Sequence, residues 1–463
     1  MDREQYGMYK QAFLIITTAL TVLPLGVPMS AFYFLPRGTR RRETVLNIVL
    51  FHVAAGGLAC AAFSLYPSIL TAIFGNARLA PYSAWIGVTI GFWITGAFLD
   101  TVPVANDEVR LASAFIVGIQ ASRALLFVGA VVFFGTLQSL LAAAILHGAI
   151  QTVTLVWYLE SRFAGFWRAF DWSFLRDQLS YAIPLGAAGL LMIVQTDLHS
   201  YFVSNRFGPA WFAVYSIGTL QLPLMGLLRE AANSVLITRV SLLQKKQEHR
   251  EIVWLIARAA RKLAAVYFPV YVFLMVSGRE FIRVVFTARF ADSWPIFAVN
   301  LTLLPLGVVL LDPLYRAFER ERYFLLRLRL ALAAVLIVTL WLFTARLGLL
   351  GVIATVVTVA TLERAVMAIH FCRLLDVTAR DWVLLRDLGK LATAALAAGV
   401  CAGLALLLLQ RENALLALAT CGAAYAIVYL AGVAFCIPGS FAGKAFAGRA
   451  FVSKATSAGV SSR

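Results

Sequence analysis

Charge is what this sequence has least of. Asp, Glu, Lys and Arg make up 14% of its 463 residues, where a soluble domain carries about 25%. With 61% hydrophobic residues and a mean hydropathy of +0.83, that scarcity excludes a water-soluble globular domain and a disordered chain. Acids are the scarcer sign, 23 against 40 bases. In a soluble protein such a surplus points to nucleic acid; in a membrane chain it marks the cytoplasmic loops, and no nucleic-acid partner is implied. Cysteine is also sparse. The five thiols, Cys60, Cys372, Cys401, Cys421 and Cys436, form no CxxC pair, which excludes a readable disulfide framework or zinc site and leaves packing as their role. No P-loop, nucleophile motif or paired-carboxylate site is present, and no connecting segment exceeds about 20 residues. The chain therefore has no room for a soluble catalytic domain. It reads as a non-enzyme without cofactor or metal, whose chemistry uses residues in or at the edges of helices.

What the chain does have is apolar length. A bilayer core of about 30 Å needs about 20 apolar residues per helix. Thirteen runs qualify: 9–35, 44–66, 79–105, 110–134, 136–158, 178–203, 208–240, 253–285, 293–317, 323–345, 347–374, 388–409 and 413–437. They lack the alternation of barrel strands, so each predicts a helix. Of the 40 bases, twenty-nine fall in one alternating set of loops, helix ends and the tail, nine in the other set, and two, Arg123 and Arg229, inside spans. That asymmetry predicts an outer N-terminus and a cytoplasmic C-terminus.

An internal repeat runs at a fixed offset of 212: Phe74, Leu99, Asp100, Ala105 and Arg110 match Phe286, Leu311, Asp312, Ala317 and Arg322, and Asp107 matches Glu319. Upstream, Tyr6-Gly-Met-Tyr9 corresponds to Phe212-Ala-Val-Tyr215 at offset 206. Both copies cross in the same direction, a transporter pattern in which parallel repeats are related by an axis along the membrane normal.

The segment from Ser180 onward carries a further signal. Ser180, Pro184, Asp197, Gly208-Pro209-Ala210 and Ala213-Val-Tyr215-Ser216 resemble the start of the second half of the multidrug/oligosaccharidyl-lipid/polysaccharide (MOP) exporter superfamily. EQYGMY at 4–9 resembles the matching entry of the first half, and FADSWPIFAVNLTLLPLG at 290–307 and RLGLLGVIATV at 346–356 are also familial. The subgroup most similar is the polysaccharide-transport flippases. The resemblance implies an all-α membrane protein of two pseudo-symmetric bundles: a lobe at 1–170, a second at 171–374, a further helix pair at 375–437 and a cytoplasmic tail at 438–463. It also implies fourteen spans, so thirteen predict that the first helix is missing, through a truncated start or a defective copy. The expected location is a bacterial inner membrane. The expected cargo is a polyprenyl-pyrophosphate-linked oligosaccharide for surface polysaccharide (O-antigen or exopolysaccharide), handled among membrane lipids beside a polymerase and chain-length regulator. Alternatives are an ion-coupled drug or cation antiporter of the same superfamily, an integral-membrane glycosyltransferase or polymerase, and a non-transporting accessory protein.

Charges inside spans are costly and therefore nominate themselves. Arg123, near mid-depth, and Arg229 are the candidate substrate-binding residues, because guanidinium grips phosphate bidentately. The competing reading of Arg123 is an interhelical ion pair. Asp197, Glu230, Asp100 and Asp312 are the candidate coupling or gate carboxylates. Asp197 is expected to cap its helix or pair with Arg206, Asp312 to pair with Arg316 at i,i+4, and Glu363 beside Arg364 to act as a cytoplasmic-end salt bridge. His52, His147 and His370 read as packing histidines. Pro24, Pro28, Pro223, Pro269 and Pro305 interrupt spans and predict kinks.

Overall fold

The computed structural model describes residues 1–38, 40–318, 321–408 and 414–436; the tail 438–463, Glu319 and Arg320 lie outside the described residues. Among the described residues every regular element is helical. The long helices are α1 (Arg3–Val22), α2 (Arg41–Leu65), α3 (Ser83–Gly96), α4 (Val109–Phe133), α5 (Leu137–Arg162), α6 (Trp172–Gly218), α7 (Pro223–Lys245) and α8 (His249–Phe286). They are followed by α9 (Trp294–Leu301), α10 (Asp312–Ala317), α11 (Glu321–Leu374), α12 (Arg386–Leu408) and α13 (Ala414–Cys436).

Among the described residues 10 helices are long and apolar enough to cross a membrane, or 11 when Thr196–Gly218 and Pro223–Lys245, bent by 54°, count as one span. The ten coincide with ten of the thirteen apolar runs. Of the others, 178–203 lies inside α6 and 208–240 is the bent pair. The run 293–317 breaks into short helices, none of crossing length alone. Both α6 and α11 are in fact helix pairs joined at one glycine, Gly208 (φ 75°, ψ 176°) and Gly348 (φ 64°, ψ −176°). Such dihedrals are open to glycine and strained for other residues, which lets one residue turn the chain.

The chain forms two compact units. The first comprises Met1–Ser216 and Ala333–Val352. One of its cores gathers Phe13, Ile16, Phe74, Ile90, Trp93 and Leu141; another gathers Val45, Ile48, Phe98, Tyr158 and Phe166. Outward-facing side chains are apolar too, such as Leu125 at 75% and Phe133 at 79% exposure, as expected where the solvent is lipid. One buried polar group links three elements: the Gln11 amide donates to Ser204 Oγ at 2.8 Å and accepts from Asn76 Nδ2 at 2.8 Å. After Val22 the chain breaks between Pro24 and Pro28, with Leu25 and Gly26 at φ 46° and 72°.

The second unit comprises Ile217–Leu332 and the chain from Ile353. Here α8, α12 and α13 pack around Tyr267, Leu391, Ala395, Ala398 and Tyr425. Pro269 lies inside α8 and has no N–H for the Ala265 carbonyl one turn earlier. The Tyr429 hydroxyl of α13 donates to that carbonyl at 2.9 Å. A broken backbone hydrogen bond in one helix is thus the docking point for another.

The offset of 212 is visible in local structure. A 3-10 turn at Ala77–Tyr82 leads into α3, which breaks before Asp100; a 3-10 turn at Ala288–Ser293 leads into α9, whose continuation breaks before Asp312. Tyr158 and His370, also 212 apart, both hold the segment after the broken helix. Tyr158 Oη accepts from Asn106 Nδ2 at 3.0 Å, and His370 Nε2 pairs with Glu321 Oε2 at 2.6 Å. His370 packs as expected, stacked on Phe324 with ring centroids 3.9 Å apart, and also meets Glu321 near a helix end, where it is only partly buried.

Candidate functional site

In the first unit, Arg123 sits on α4, half-buried, with its guanidinium 4.7 Å from the Trp93 ring centroid and 5.6 Å from that of Phe127. It forms no ion pair with a carboxylate among the described residues, so the expected interhelical salt bridge is not what holds it. Cation–π contact is. Trp93 is fixed in turn: its Nε1 donates to the Ala144 carbonyl of α5 at 2.8 Å. That approach depends on Gly148, where a Cβ would lie 2.6 Å from Trp93 Cδ1. His147 meets Trp93 edge-on, with ring centroids 5.5 Å apart. Arg123, Leu126, Phe127 and Ala130 occupy i, i+3, i+4 and i+7, one face of α4. Leu126 and Ala130 go on to line an apolar cavity of about 640 Å3 with Trp85, Ala143 and Leu146.

Sequence reasoning passed over Lys10, counting it among the outer ends. Because α1 begins at Arg3, Lys10 lies two turns inside the helix. Its Nζ is 5.5 Å from the Tyr6 ring and 5.9 Å from that of Tyr9. The signal was present in the spacing, since Tyr6 and Lys10 stand at i,i+4.

The second unit gathers five charges. Arg329 donates from Nη2 to Asp312 Oδ1 at 2.8 Å and from Nε to Glu363 Oε1 at 2.9 Å. Asp312 thus takes Arg329, from the next span, as its described partner; the side chain of Arg316 lies outside the described residues. Glu363 likewise pairs with Arg329 rather than Arg364, because neighbours on a helix diverge by about 100°. Arg364 instead donates from Nη1 to the Leu306 carbonyl at 2.8 Å, satisfying backbone freed where the 293–317 run breaks. Arg229, exposed on α7, acts electrostatically on both Arg364 and Tyr267. Three cations and two anions leave this cluster with a surplus positive charge.

The other candidate carboxylates, Asp197, Asp100 and Glu230, form no ion pair among the described residues. Asp197 is half-buried and forms no ion pair with Arg206; nearby His199 Nδ1 is 2.9 Å from the Tyr215 hydroxyl. Among the described residues Asp100 and Glu230 are exposed and also lack ion pairs, whereas Asp312, the repeat mate of Asp100, is bridged. Among the described residues no group of His, Cys, Asp and Glu could hold a metal ion.

These features define a multi-pass, all-helical membrane protein with bases, rather than acids, in surplus inside its spans. Similarity to solved structures fixes the fold. The chain resembles "Lipid II flippase MurJ, inward closed conformation" with a TM-score of 0.69 and 12% identity, over 93% of this chain and 92% of that one. It also resembles an inward-facing multidrug resistance MATE family transporter of the MOP superfamily, with a TM-score of 0.61 and 13% identity, over 81% of this chain and 91% of that one. No curated protein matches the sequence. Residues 1–295 match the polysaccharide biosynthesis protein family, and the chain belongs to it.

Proposed function

We propose that the protein is a flippase that moves a polyprenyl-pyrophosphate-linked oligosaccharide from the cytoplasmic to the outer leaflet of a bacterial inner membrane by alternating access. The lobes are 1–170 and 171–374, with 375–437 as an additional helix pair and the C-terminus in the cytoplasm. A polysaccharide polymerase and chain-length regulator are its proposed neighbours. The observation that carries this reading is the sign of the intramembrane charge. Among the described residues Arg123 has no counter-carboxylate, and the cluster around Arg229 has three cations to two anions. A pyrophosphate supplies the missing negative charge, and guanidinium grips it bidentately. Membership of the polysaccharide biosynthesis family supports the sugar. Asp197 and Asp100, without ion pairs among the described residues, are the proposed coupling carboxylates, and the bridged Asp312 and the exposed Glu230 are proposed gate residues. A cation antiporter needs an acidic site instead, and the surplus weighs against it.

In cells, Arg123→Ala and Arg229→Ala should leave membrane insertion intact while lipid-linked sugar accumulates on the cytoplasmic side. Normal surface polysaccharide in both variants would refute the cationic site.

A further inference from the structure

Helix α8 is longer than a membrane needs. Its 38 residues rise about 57 Å at about 1.5 Å per residue, against a hydrocarbon core of about 30 Å. Residues 263–278 carry no charged side chain, whereas 249–262 hold Arg250, Arg258, Arg261 and Lys262. One face of this basic segment is fixed in the second unit, where Ile252, Ile256, Ala260 and Leu263 are buried in its cores. Two of the bases meet acids: Arg261 Nη1 lies 3.1 Å from Asp387 Oδ2 of α12, and the charge of Arg250 acts on Asp381. Arg258 forms no ion pair among the described residues. It lies over the Trp254 ring, 5.1 Å from the centroid, and its charge acts on Lys262, one turn further. Trp254, Arg258, Lys262 and Val266 are all exposed at i, i+4, i+8 and i+12, one line along the helix. That line changes from cationic to apolar between Lys262 and Val266. Along the axis Lys262 stands about 6 Å and Arg258 about 12 Å from Val266, the depth at which a headgroup layer of about 5–8 Å borders the hydrocarbon. Two like charges side by side on an exposed face repel, and an anion that touches both relieves them.

We propose that Arg258 and Lys262, with Trp254 behind them, seat the phosphate headgroup of an anionic phospholipid in the leaflet that the bases mark as cytoplasmic. The planar fork of Arg258 takes two phosphate oxygens, Lys262 adds a point charge, and Trp254 positions the guanidinium by cation–π contact. The occupant follows from where the line leads. It runs into the hydrocarbon at Val266, so the acyl chains of a lipid bound there lie along the apolar part of the same helix. A free phosphate gains nothing from that end. The seat is independent of the flippase reading.

The test is binding of dioctanoyl phosphatidylglycerol and dioctanoyl phosphatidylcholine to the full chain in a neutral detergent. Wild type should prefer the anionic lipid, and the double variant Arg258→Gln, Lys262→Gln should lose about tenfold or more in that preference, the scale expected for two bases at a membrane surface. The charge-keeping double variant Arg258→Lys, Lys262→Arg should retain most of it, and Trp254→Leu should weaken it severalfold. Arg261→Gln, which removes a base already held by Asp387, should keep the preference while unfolding at a lower temperature. Thermal unfolding of every variant identifies any that fails to fold, and the single change Arg258→Gln then decides. Inorganic phosphate should not displace the lipid; displacement at equal concentration would make this a site for free phosphate. A wild type without the preference, or a folded Arg258→Gln, Lys262→Gln variant that keeps it, overturns the seat and leaves the flippase reading as it stands.

Discussion

At the residue scale, the first unit shows how a cation is held in an apolar helix bundle by aromatic rings, with no counterion among the described residues. Arg123 rests on Trp93, Trp93 is tied to the Ala144 carbonyl, and Gly148 leaves room for the indole. Gly148→Ala should therefore displace Trp93 and cost about 1–3 kcal/mol of stability by overpacking. A shift in tryptophan emission together with weaker anion binding checks it; unchanged emission removes the link between Gly148 and Arg123. In the second unit Arg329 bridges Asp312 and Glu363. Arg329→Ala should destabilise more than the triple change that adds Asp312→Asn and Glu363→Gln, because the single change leaves two carboxylates uncompensated. Thermal unfolding of the two variants reads the order directly. That Arg123 and Arg229 lie inside helices was legible in the sequence, because a charge within an apolar run stands out. Lys10 was not, because where α1 begins decides whether it is terminal or interior. Nor was the partner of Glu363, since sequence adjacency suggested Arg364 and helical geometry forbids it.

At the element scale, most of the helices were legible for one reason: lipid offers no hydrogen bonds, so every span must be a long apolar helix. What the pattern could not show is where a span breaks. Pro269 announced a kink, but not that Tyr429 would donate to the freed Ala265 carbonyl. Tyr429→Phe should cost about 1 kcal/mol by orphaning that partly buried acceptor. In a Pro269→Ala background, residue 269 regains its N–H and the same change should cost less. Equal costs in the two backgrounds would show that α13 docks on α8 by other contacts. Asp171, just before α6, accepts from the Phe174 N–H at 3.1 Å and the Ser173 hydroxyl at 2.9 Å, and pairs with Arg40. The Phe174 N–H is the main reason, with Ser173 and Arg40 adding, that its carboxyl titrates below the usual range. A depressed carboxyl stabilises above its unfolded-state pKa and loses that contribution as pH falls through the folded value. Amide exchange at the start of α6 should therefore quicken on acidification below the ordinary aspartate range, and Asp171→Asn should remove that pH dependence.

At the scale of the whole molecule, the repeat was legible as five identities at one offset and is visible as shared local geometry at Asp100 and Asp312 and at Tyr158 and His370. Similarity to solved structures carries the fold, and the match over residues 1–295 carries membership of the polysaccharide biosynthesis family. The net charge of +17 is mostly topological, since twenty-nine of 40 bases fall in one alternating set of loops, helix ends and the tail. The proposed function turns on the few that remain inside. Transport of a pyrophosphate-linked sugar is tested most directly in proteoliposomes carrying a fluorescent polyprenyl-pyrophosphoryl oligosaccharide, with the outer leaflet quenched at intervals. Wild type should exchange the lipid between leaflets, and the double variant Arg123→Ala, Arg229→Ala, folded and inserted, should fall to the rate of protein-free vesicles. Exchange by the double variant at the wild-type rate, or none by wild type, would contradict it.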